Sequence, residues 1–297
     1  MSDADLAKAW LETLEHQRRL SRHTLGNYSR AIGVLFGLKE KIPLRELDAR
    51  QVRRFVARLH ATGLSGRTLA LSLSAWRGLY GWLARQHGFP ANPVQGVRAP
   101  KSPRHLPKAL SVEQAQQLLE VSSIDSPEAL RDWAMFELLY SSGLRLSELI
   151  SLNVADGGLD LRQGEVTVTG KGSRTRTVPV GARACDASRA WLKARALLAA
   201  PQERALFVGA RGRRIAPGTV QSRLRAWAKR QGLGASVHPH MLRHSFASHV
   251  LQSSQDLRAV QEMLGHASIS TTQIYTHLDF QALAKVYDAA HPRARKK

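Results

Sequence analysis

The chain has 297 residues, of which 43% are hydrophobic and 23% charged, the composition of a soluble globular protein with one large or two ordinary domains. Lysine and arginine outnumber aspartate and glutamate by 44 to 23, and the formal net charge of +21 favours nucleic acid, and after it an anionic membrane, as the partner. The composition excludes extensive disorder, and no apolar run approaches the roughly 18 residues that a bilayer span requires.

The single cysteine and the N-terminal residues both bear on where the protein works. Cys185 excludes an internal disulfide and a cysteine zinc site, and a lone thiol fits a reducing compartment. We interpret it as a small packing residue rather than a reactive thiol. The acidic start, Met1–Asp5, lacks the basic and apolar regions of a signal peptide, so the predicted location is cytoplasmic.

Residues 1–96 are predicted to form a helical domain. Four stretches repeat apolar residues at three- and four-residue spacing, which places each set on one face of a helix. Ser21 and Ser65 stand where the second and fourth helices would begin, and we predict that both are N-caps. The four stripes are Leu6, Trp10 and Leu14; Leu25, Tyr28, Ile32 and Leu35; Val52, Phe55, Val56 and Leu59; and Leu69, Leu73, Trp76, Tyr80 and Leu83.

A basic, proline-rich linker is predicted over residues 97–110. Residues 98–108 contain three prolines and four lysines or arginines, with no acidic residue. Proline disfavours helix, so the segment is predicted to be extended. Its charges would suit a strap along DNA phosphates, with contacts from Lys101, Arg104 and Lys108. The alternative is a solvated linker that is basic because the whole chain is basic.

Residues 111–279 are predicted to form a second domain, mainly α with a small antiparallel β insert. Ser111 and Gln114 match a capping box at its start. Residues 165–169 and 174–178 alternate with period two, and the glycines between them permit a hairpin turn. Helices are predicted near residues 111–120, 127–141, 144–152, 182–198, 217–231, 239–252, 256–264 and 280–289, the last within a C-terminal segment of residues 280–297.

Phosphodiester transfer requires a recognisable set of side chains. The five-coordinate transition state carries extra negative charge, which preorganised arginines neutralise with paired hydrogen bonds. A hydroxyl nucleophile must lose its proton as it attacks, and the departing oxygen must receive one. Two arginines, one or two histidines, a lysine and a hydroxyl group would satisfy these needs.

The first members of such a set are Arg145 and Lys171. Gly143 is predicted to end one helix and Arg145 to open the next, with Glu148 three residues later to orient the guanidinium. Lys171 lies between the two predicted strands, where a long amine could reach into a cleft. A phosphate-loop interpretation fails, because Gly172 stands where serine or threonine is required.

Three histidines surround the second arginine. In the run His238–His244, His240 and Arg243 would share one face of a helix. A metal site is disfavoured, because His240 and His244 supply only two ligands and the run contains no cysteine or carboxylate. We interpret His244 as structural and leave the role of His238 open.

The last members of the set are His266 and Tyr275. Gly265 is predicted to cap the preceding helix, and Tyr275 follows His266 closely enough for a short connection to return it to the same cleft. Taken alone, a tyrosine beside Ile274 would usually be a packing residue. The ordered set, rather than any single member, predicts that Tyr275 attacks phosphorus.

This ordered set resembles the active-site signature of the tyrosine recombinase, or phage integrase, family, and the resemblance extends over nearly the whole chain. It implies a four-helix, SAM-like core-binding domain followed by a catalytic domain, which together form a two-domain C-shaped clamp around DNA. The residues that carry the signature are Arg145, Lys171, His240, Arg243, Gly265, His266 and Tyr275.

The resemblance also implies a role for each residue. Tyr275 would form a 3′-phosphotyrosyl bond and release a 5′-hydroxyl, and Lys171 would be the general acid for that leaving oxygen. His240 would assist proton transfer, and the phosphate oxygens would be bound by Arg145, Arg243 and His266. Neither ATP, nor a metal ion, nor another cofactor is implied.

Within the family, residues 256–266 and 270–277 resemble the bacterial chromosome-dimer resolvases, and residues 278–293 resemble one of their two types. The implied partners are double-stranded DNA with a specific site, a second recombinase type in a tetramer of two plus two subunits, and a regulatory DNA translocase. Residues 280–297 would be exchanged between subunits. Further DNA contacts are predicted from Arg223, Arg225, Lys229 and Arg230, whose charges could otherwise form a solvated face.

Three other classes fit part of the sequence. An architectural DNA-binding protein with an inert cleft would explain the charge but not the ordered set. A type IB topoisomerase would use similar chemistry without a specific site or a partner. A metal-dependent nuclease would need clustered carboxylates near the histidines, which the sequence lacks.

Overall fold

A computed structural model describes residues 1–18, 20–101, 109–121, 124–154, 156, 158–170, 175–233, 237–265 and 277–294, with side chains from residue 284 onward in the last range. The chain divides into two compact units, Met1–Arg104 and His105–Lys297. The finer boundaries expected from the sequence remain predictions. Among the described residues, no helix combines the length and the apolar character that crossing a membrane would need.

The first unit contains the four predicted helices. Ser21 and Ser65 cap α2 and α4, accepting hydrogen bonds from the backbone N–H groups of Thr24 and Thr68, as expected. A short 3-10 turn, Leu44–Glu46, precedes α3. The helices are α1 (Asp3–His16), α2 (Arg22–Lys39), α3 (Ala49–Ala61) and α4 (Gly66–His87).

The core of this unit is organised around α4. Trp76 and Tyr80 are almost completely buried. Each satisfies its polar atom, since the Trp76 indole donates to the Ala31 carbonyl at 2.7 Å and the Tyr80 hydroxyl donates to the Leu44 carbonyl at 2.9 Å. Because a buried aromatic with an unsatisfied polar atom would be costly, these bonds fix α2 and the 3-10 turn against α4.

The second unit is mainly helical, with one small antiparallel sheet in the order β1-β2-β3. In the sheet Val166 pairs with Val178, and Thr169 pairs with Thr175. The predicted hairpin strands are therefore present, while the two-residue β1 is too short to produce a period-two pattern. The elements are α5 (Val112–Leu119), α6 (Pro127–Ser141), α7 (Leu146–Ser151), β1 (Leu159–Asp160), β2 (Glu165–Thr169), β3 (Thr175–Pro179), α8 (Ala182–Arg195), α9 (Pro217–Arg230), α10 (Pro239–Ser254), α11 (Leu257–Leu264) and α12 (His277–Ala290).

Helix α6 lies at the centre of this unit and is buried on nearly every side. It packs against α8, α9 and α10. Cys185 on α8 is buried and burial raises the pKa of its thiol, which agrees with a packing role. The fold is thus mainly α with a small antiparallel sheet, as the sequence predicted.

The chain reverses between α6 and α7 at Gly143, whose φ of +57° lies in the left-handed region. A Cβ at this position would collide with the ring of Phe246 on α10. Glycine therefore serves two needs here, backbone conformation and close approach. The turn delivers Arg145 to the N-cap of α7.

The C-terminal segment is docked on the second unit. Helix α12 packs on α10 and β3, and Tyr287 is buried with its hydroxyl 2.6 Å from that of Ser141 on α6. Arg293 forms a two-point ion pair with the buried carboxylate of Glu137. Both contacts hold the segment beside the helix that leads to Arg145.

Candidate active site

Glu148 is the anchor of the site, and it binds Arg145 in two ways. Its Oε1 accepts from the Arg145 guanidinium at 2.8 Å, and its Oε2 accepts from the Arg145 backbone N–H at 2.8 Å. The short helix α7 makes this possible, since the N-cap and third position lie on the same side of the first turn. The contact between Glu148 and Arg145 that the sequence predicted is therefore present. The side chain of Arg145 stays 32% exposed, so it has donors left for a ligand.

A third residue, Arg176 on β3, completes this cluster. Its Nη1 and Nη2 donate to the two oxygens of Glu148 at 2.7 and 2.8 Å, in the paired geometry that suits guanidinium and carboxylate. Its Nε donates to the Met263 carbonyl at 2.8 Å. Sequence analysis did not identify Arg176.

The charge state of Glu148 follows from these contacts. Burial acts to raise its pKa, but the hydrogen bonds from Arg176 and from the backbone and side chain of Arg145, together with the positive charge of Arg176, outweigh burial. The net result lowers the pKa of Glu148 to about 2. The carboxylate is therefore ionised at neutral pH and balances one of the two guanidinium charges.

Arg243 on α10 is nearly buried and is held by two carbonyls. Its Nη1 donates to Gly143 at 2.5 Å and its Nη2 donates to Leu264 at 2.6 Å. Burial, followed by the like charges of Arg145 and Arg176, lowers the pKa of Arg243 to about 10. It remains a cation at neutral pH, and its charge is repelled by those of Arg145 and Arg176.

The C-terminus of α11 meets all three arginines. Its last carbonyls, at Met263, Leu264 and Gly265, accept from Arg176, Arg243 and Arg145 respectively, the last over a long 3.5 Å. A helix C-terminus carries partial negative charge and unpaired carbonyls, so cations stabilise it. Gly265 ends the helix with a φ of +63°, as predicted.

The three histidines of the run His238–His244 are exposed, whereas His249, further along α10, is buried. His238 is the N-cap of the helix, and its Nδ1 accepts from the Met241 backbone N–H at 3.3 Å, a role that sequence analysis left open. His240 lies on the surface one turn before the buried Arg243. His244 is also exposed. Burial, then the charges of neighbouring groups, lowers the pKa of His238 and of His244.

Three predicted site residues, Lys171, His266 and Tyr275, lie outside the described residues. Their neighbours in sequence are described. Thr169 and Thr175 pair across β2 and β3 on either side of the connection that contains Lys171, and Gly265 directly precedes His266. Within the described ranges, no group of three or more histidine, cysteine, aspartate or glutamate side chains could hold a metal ion.

The predicted DNA-contact residues on α9 fall into two kinds. Arg223 forms an ion pair with the buried carboxylate of Asp132, and Arg230 lies over the Trp227 ring with its guanidinium carbon 5.2 Å from the centroid. Arg225 and Lys229 are exposed on the outer face of the helix. Lys101 is exposed in the first unit, while Arg104 and Lys108 lie outside the described residues.

One signal in the sequence could have identified Arg176. In a period-two strand it shares a face with Val178, which is completely buried. A cation on the inward face of a strand requires a buried partner. The partner, Glu148, is 28 residues earlier, and no local pattern connects the two.

Comparison with known proteins gives a consistent result. Residues 108–282 match the model of the phage integrase family, and residues 7–87 match that of the phage integrase N-terminal SAM-like domain. The chain is 55% identical over 308 residues to tyrosine recombinase XerC 1 of Ralstonia nicotianae, covering 97% of this chain and 94% of that protein. It is 54% identical over 297 residues to tyrosine recombinase XerC of Pseudomonas aeruginosa, covering 99% and 96%.

Solved structures give the same fold. The crystal structure of XerA recombinase matches with a TM-score of 0.50 and 28% identity, covering 97% of this chain and 99% of that chain. XerH site-specific recombinase, bound to palindromic difH substrate in a post-cleavage complex, matches with a TM-score of 0.69 and 22% identity, covering 95% and 84%.

The chain belongs to the phage integrase family. Within that family it is a XerC-like tyrosine recombinase, and so a DNA strand-exchange enzyme. XerC is also the resolvase type that residues 278–293 indicated.

Proposed function

We propose that this enzyme cuts and rejoins DNA at a dif-like site through a 3′-phosphotyrosyl intermediate at Tyr275, and thereby resolves chromosome dimers before cell division. The observation that carries the proposal is the placement of Arg145 and Arg243. They donate to consecutive carbonyls, Gly265 and Leu264, so two guanidiniums from different helices converge where His266 follows in sequence.

The two arginines would bind the scissile phosphate. Arg145 uses one Nη1 proton for Glu148 and one Nη2 proton for a long contact, which leaves further N–H groups for the non-bridging oxygens. Arg243 is fixed by carbonyls and contributes positive charge from a nearly buried position. Because both groups are held before substrate binds, little reorganisation accompanies formation of the transition state.

The remaining roles complete a balanced transesterification. The Tyr275 oxygen attacks phosphorus as its proton is taken up with help from His240, and the bond from phosphorus to the 5′-oxygen breaks. Lys171 protonates that oxygen, giving a free 5′-hydroxyl, and His266 binds the phosphate with the arginines. The phosphotyrosyl bond retains the energy of the original diester, so ATP is not required, and no step needs a metal ion.

DNA contacts would extend beyond the phosphate that is cut. Arg225 and Lys229 present exposed charges on α9, and Lys101 does so ahead of the linker. We assign a weaker direct contribution to Arg223, because its charge is shared with Asp132. Arg230, Arg104 and Lys108 complete the proposed set.

We further propose that two copies act with two copies of a XerD-like recombinase in the cytoplasm, under regulation by an FtsK-type DNA translocase. Residues 280–297 would be exchanged between neighbouring subunits. Tyr287 is a core residue, so deleting this segment would damage the fold. Deleting only residues 295–297 is a milder test, because it leaves Tyr287 and the pair of Arg293 with Glu137 in place. It should weaken cooperative assembly with the partner more than binding of one subunit. Equal losses in a gel-shift titration would contradict exchange.

The proposed chemistry is tested with a nicked suicide duplex that carries a dif-type site, in the presence of the partner recombinase. Cleavage releases a short strand and traps the covalent complex, which denaturing electrophoresis separates from free protein. Wild type should form this band without ATP and in the presence of a chelator. No band with any such substrate would favour an inert DNA-binding protein instead.

A further inference from the structure

Arg176 stands apart from the residues that the proposed reaction uses. Its side chain is 7% exposed, and its three nitrogen atoms all have protein partners: the two oxygens of Glu148 and the carbonyl of Met263. Two of its five N–H groups have no bond among the described residues, but burial of the side chain leaves them little access to a phosphate. A buried cation whose three nitrogen atoms are all paired either stabilises the fold or positions another residue.

Arg176 contacts Glu148 and the end of α11, which hold Arg145 and Arg243 in place. The planar fork fixes the plane of the Glu148 carboxylate, and the same Oε1 atom that Arg176 holds at 2.7 Å accepts from Arg145 at 2.8 Å. The placement of the Arg145 guanidinium is therefore set through Arg176.

The other side of Arg176 touches the end of α11. Its Nε holds the Met263 carbonyl, and a Cβ built on Gly265 would lie 3.0 Å from the Arg176 Cδ. The side chain thus occupies the space that a larger residue at 265 would take. Leu264, whose carbonyl binds Arg243, lies between these two contacts.

We propose that Arg176 is a positioning residue for strand cleavage, which sets the spacing between Arg145 and Arg243 by linking Glu148 to the end of α11. The proposal rests on the proposed function, in which those two arginines bind the scissile phosphate. Lysine cannot replace it, because one ammonium lacks the planar fork needed to hold two carboxylate oxygens and a carbonyl together.

The test uses Arg176→Lys and Arg176→Gln in the full chain, with the partner recombinase and a nicked suicide duplex. Arg195→Lys is the matched control, because Arg195 also binds backbone carbonyls, those of Glu203 and Ala205, and has none of the contacts of this cluster. Thermal unfolding and gel-shift titration confirm that each protein is folded and binds the duplex. The rate of covalent-adduct formation is then measured in single turnover.

The rate is measured on two substrates, the ordinary diester and one with a methylphosphonate at the cleavage position. Methylphosphonate lacks one anionic oxygen, so its reaction depends less on the arginine pair. We expect Arg176→Lys to cleave the diester about 100-fold more slowly than wild type, as a misplacement of about 1 Å would cause. On methylphosphonate the deficit relative to wild type should narrow to less than about tenfold, and Arg195→Lys should match wild type on both.

A purely structural role would give the same fold-loss on both substrates, and that result would overturn the proposal. A wild-type rate for Arg176→Lys on the diester would also overturn it, as would failure of both Arg176 variants to fold. These outcomes are separable from failure of the proposed function, in which wild type itself would form no covalent adduct.

Discussion

Arg145 and Arg176 donate to the same oxygen of Glu148, at 2.8 and 2.7 Å. One arginine is partly exposed and the other is buried, so a single carboxylate connects the surface of the site to its interior. Glu148 is 2% exposed, so water cannot solvate its carboxylate in place of either arginine if that arginine is removed. The cluster should therefore respond to substitution as a unit.

Glu148→Gln should destabilise the protein and slow cleavage. The amide removes the negative charge that pairs with the buried guanidinium of Arg176, and breaking such a pair costs about 3 kcal/mol in the free energy of unfolding. Loss of Arg145 placement should slow adduct formation about 100-fold. Urea denaturation and single-turnover cleavage measure the two effects. Glu12→Gln, which removes an exposed pair with Lys8 at 4.0 Å, is the control and should change neither.

Gly143→Ala should be strongly destabilising. The residue would have to adopt a φ of +57° and place its methyl group against the Phe246 ring. Overpacking and left-handed strain together should lower the free energy of unfolding by about 3 kcal/mol. Gly218→Ala is the matched control, because a Cβ there has open space within α9, and it should stabilise by about 0.5 kcal/mol. If Gly143→Ala and Gly218→Ala changed the free energy of unfolding by similar amounts in urea denaturation, the result would contradict the described turn.

Much of this architecture could be predicted from local patterns. Apolar periodicity located the helices, and Ser21, Ser65 and Gly265 were recognised as caps because capping depends on a few adjacent residues. The pair of Arg145 and Glu148 was predictable for the same reason, since the two share one helical turn.

What could not be predicted depends on contacts between distant parts of the chain. The bond of Arg176 to Glu148 and the capping of α11 by Arg243 arise only when β3, α7 and α11 meet. The count of basic residues likewise does not show which of them are available to bind DNA. It includes Arg131, which is buried in contact with Asp132. Only the folded chain distinguishes such a residue from the exposed Lys229.

Stability should fall as the pH drops below neutrality. Burial, opposed only partly by a backbone hydrogen bond, lowers the pKa of His291 to about 3, whereas an unfolded histidine titrates near 6.5. Between these values the unfolded chain binds a proton that the folded chain does not, so stability is full above about pH 6.5 and decreases toward pH 3. Glu148, lowered to about 2, adds a loss of the same sign below its ordinary value of 4.5.

Thermal midpoints from pH 4.5 to 8 measure this dependence. His291→Asn keeps a hydrogen-bond acceptor for the Arg293 backbone N–H but does not titrate, so its midpoint should vary less with pH than that of wild type. His16→Asn, at the exposed end of α1, should keep the wild-type slope. A wild-type midpoint that rises as the pH falls from 7 to 4.5 would contradict the assignment.

Lys171→Ala should slow cleavage by a factor of about 100 to 10,000, the usual contribution of a general acid. A substrate with sulfur at the 5′-bridging position should restore the rate to within about tenfold of wild type, because a thiolate leaves without a proton. Lys193→Ala, at an exposed position in the last turn of α8, is the control. If sulfur substitution gave no rescue, Lys171 would not be the acid for the leaving oxygen.

The most direct test of the central claim is to locate the covalent bond to DNA. After trapping on the suicide duplex and nuclease trimming, trypsin should release residues 259–285, in which Tyr275 is the one tyrosine. Mass spectrometry should find a nucleotide 3′-phosphate attached to Tyr275 in this peptide, and no adduct should form with Tyr275→Phe. A nucleotide on any other peptide, or an undiminished adduct with Tyr275→Phe, would contradict Tyr275 as the nucleophile.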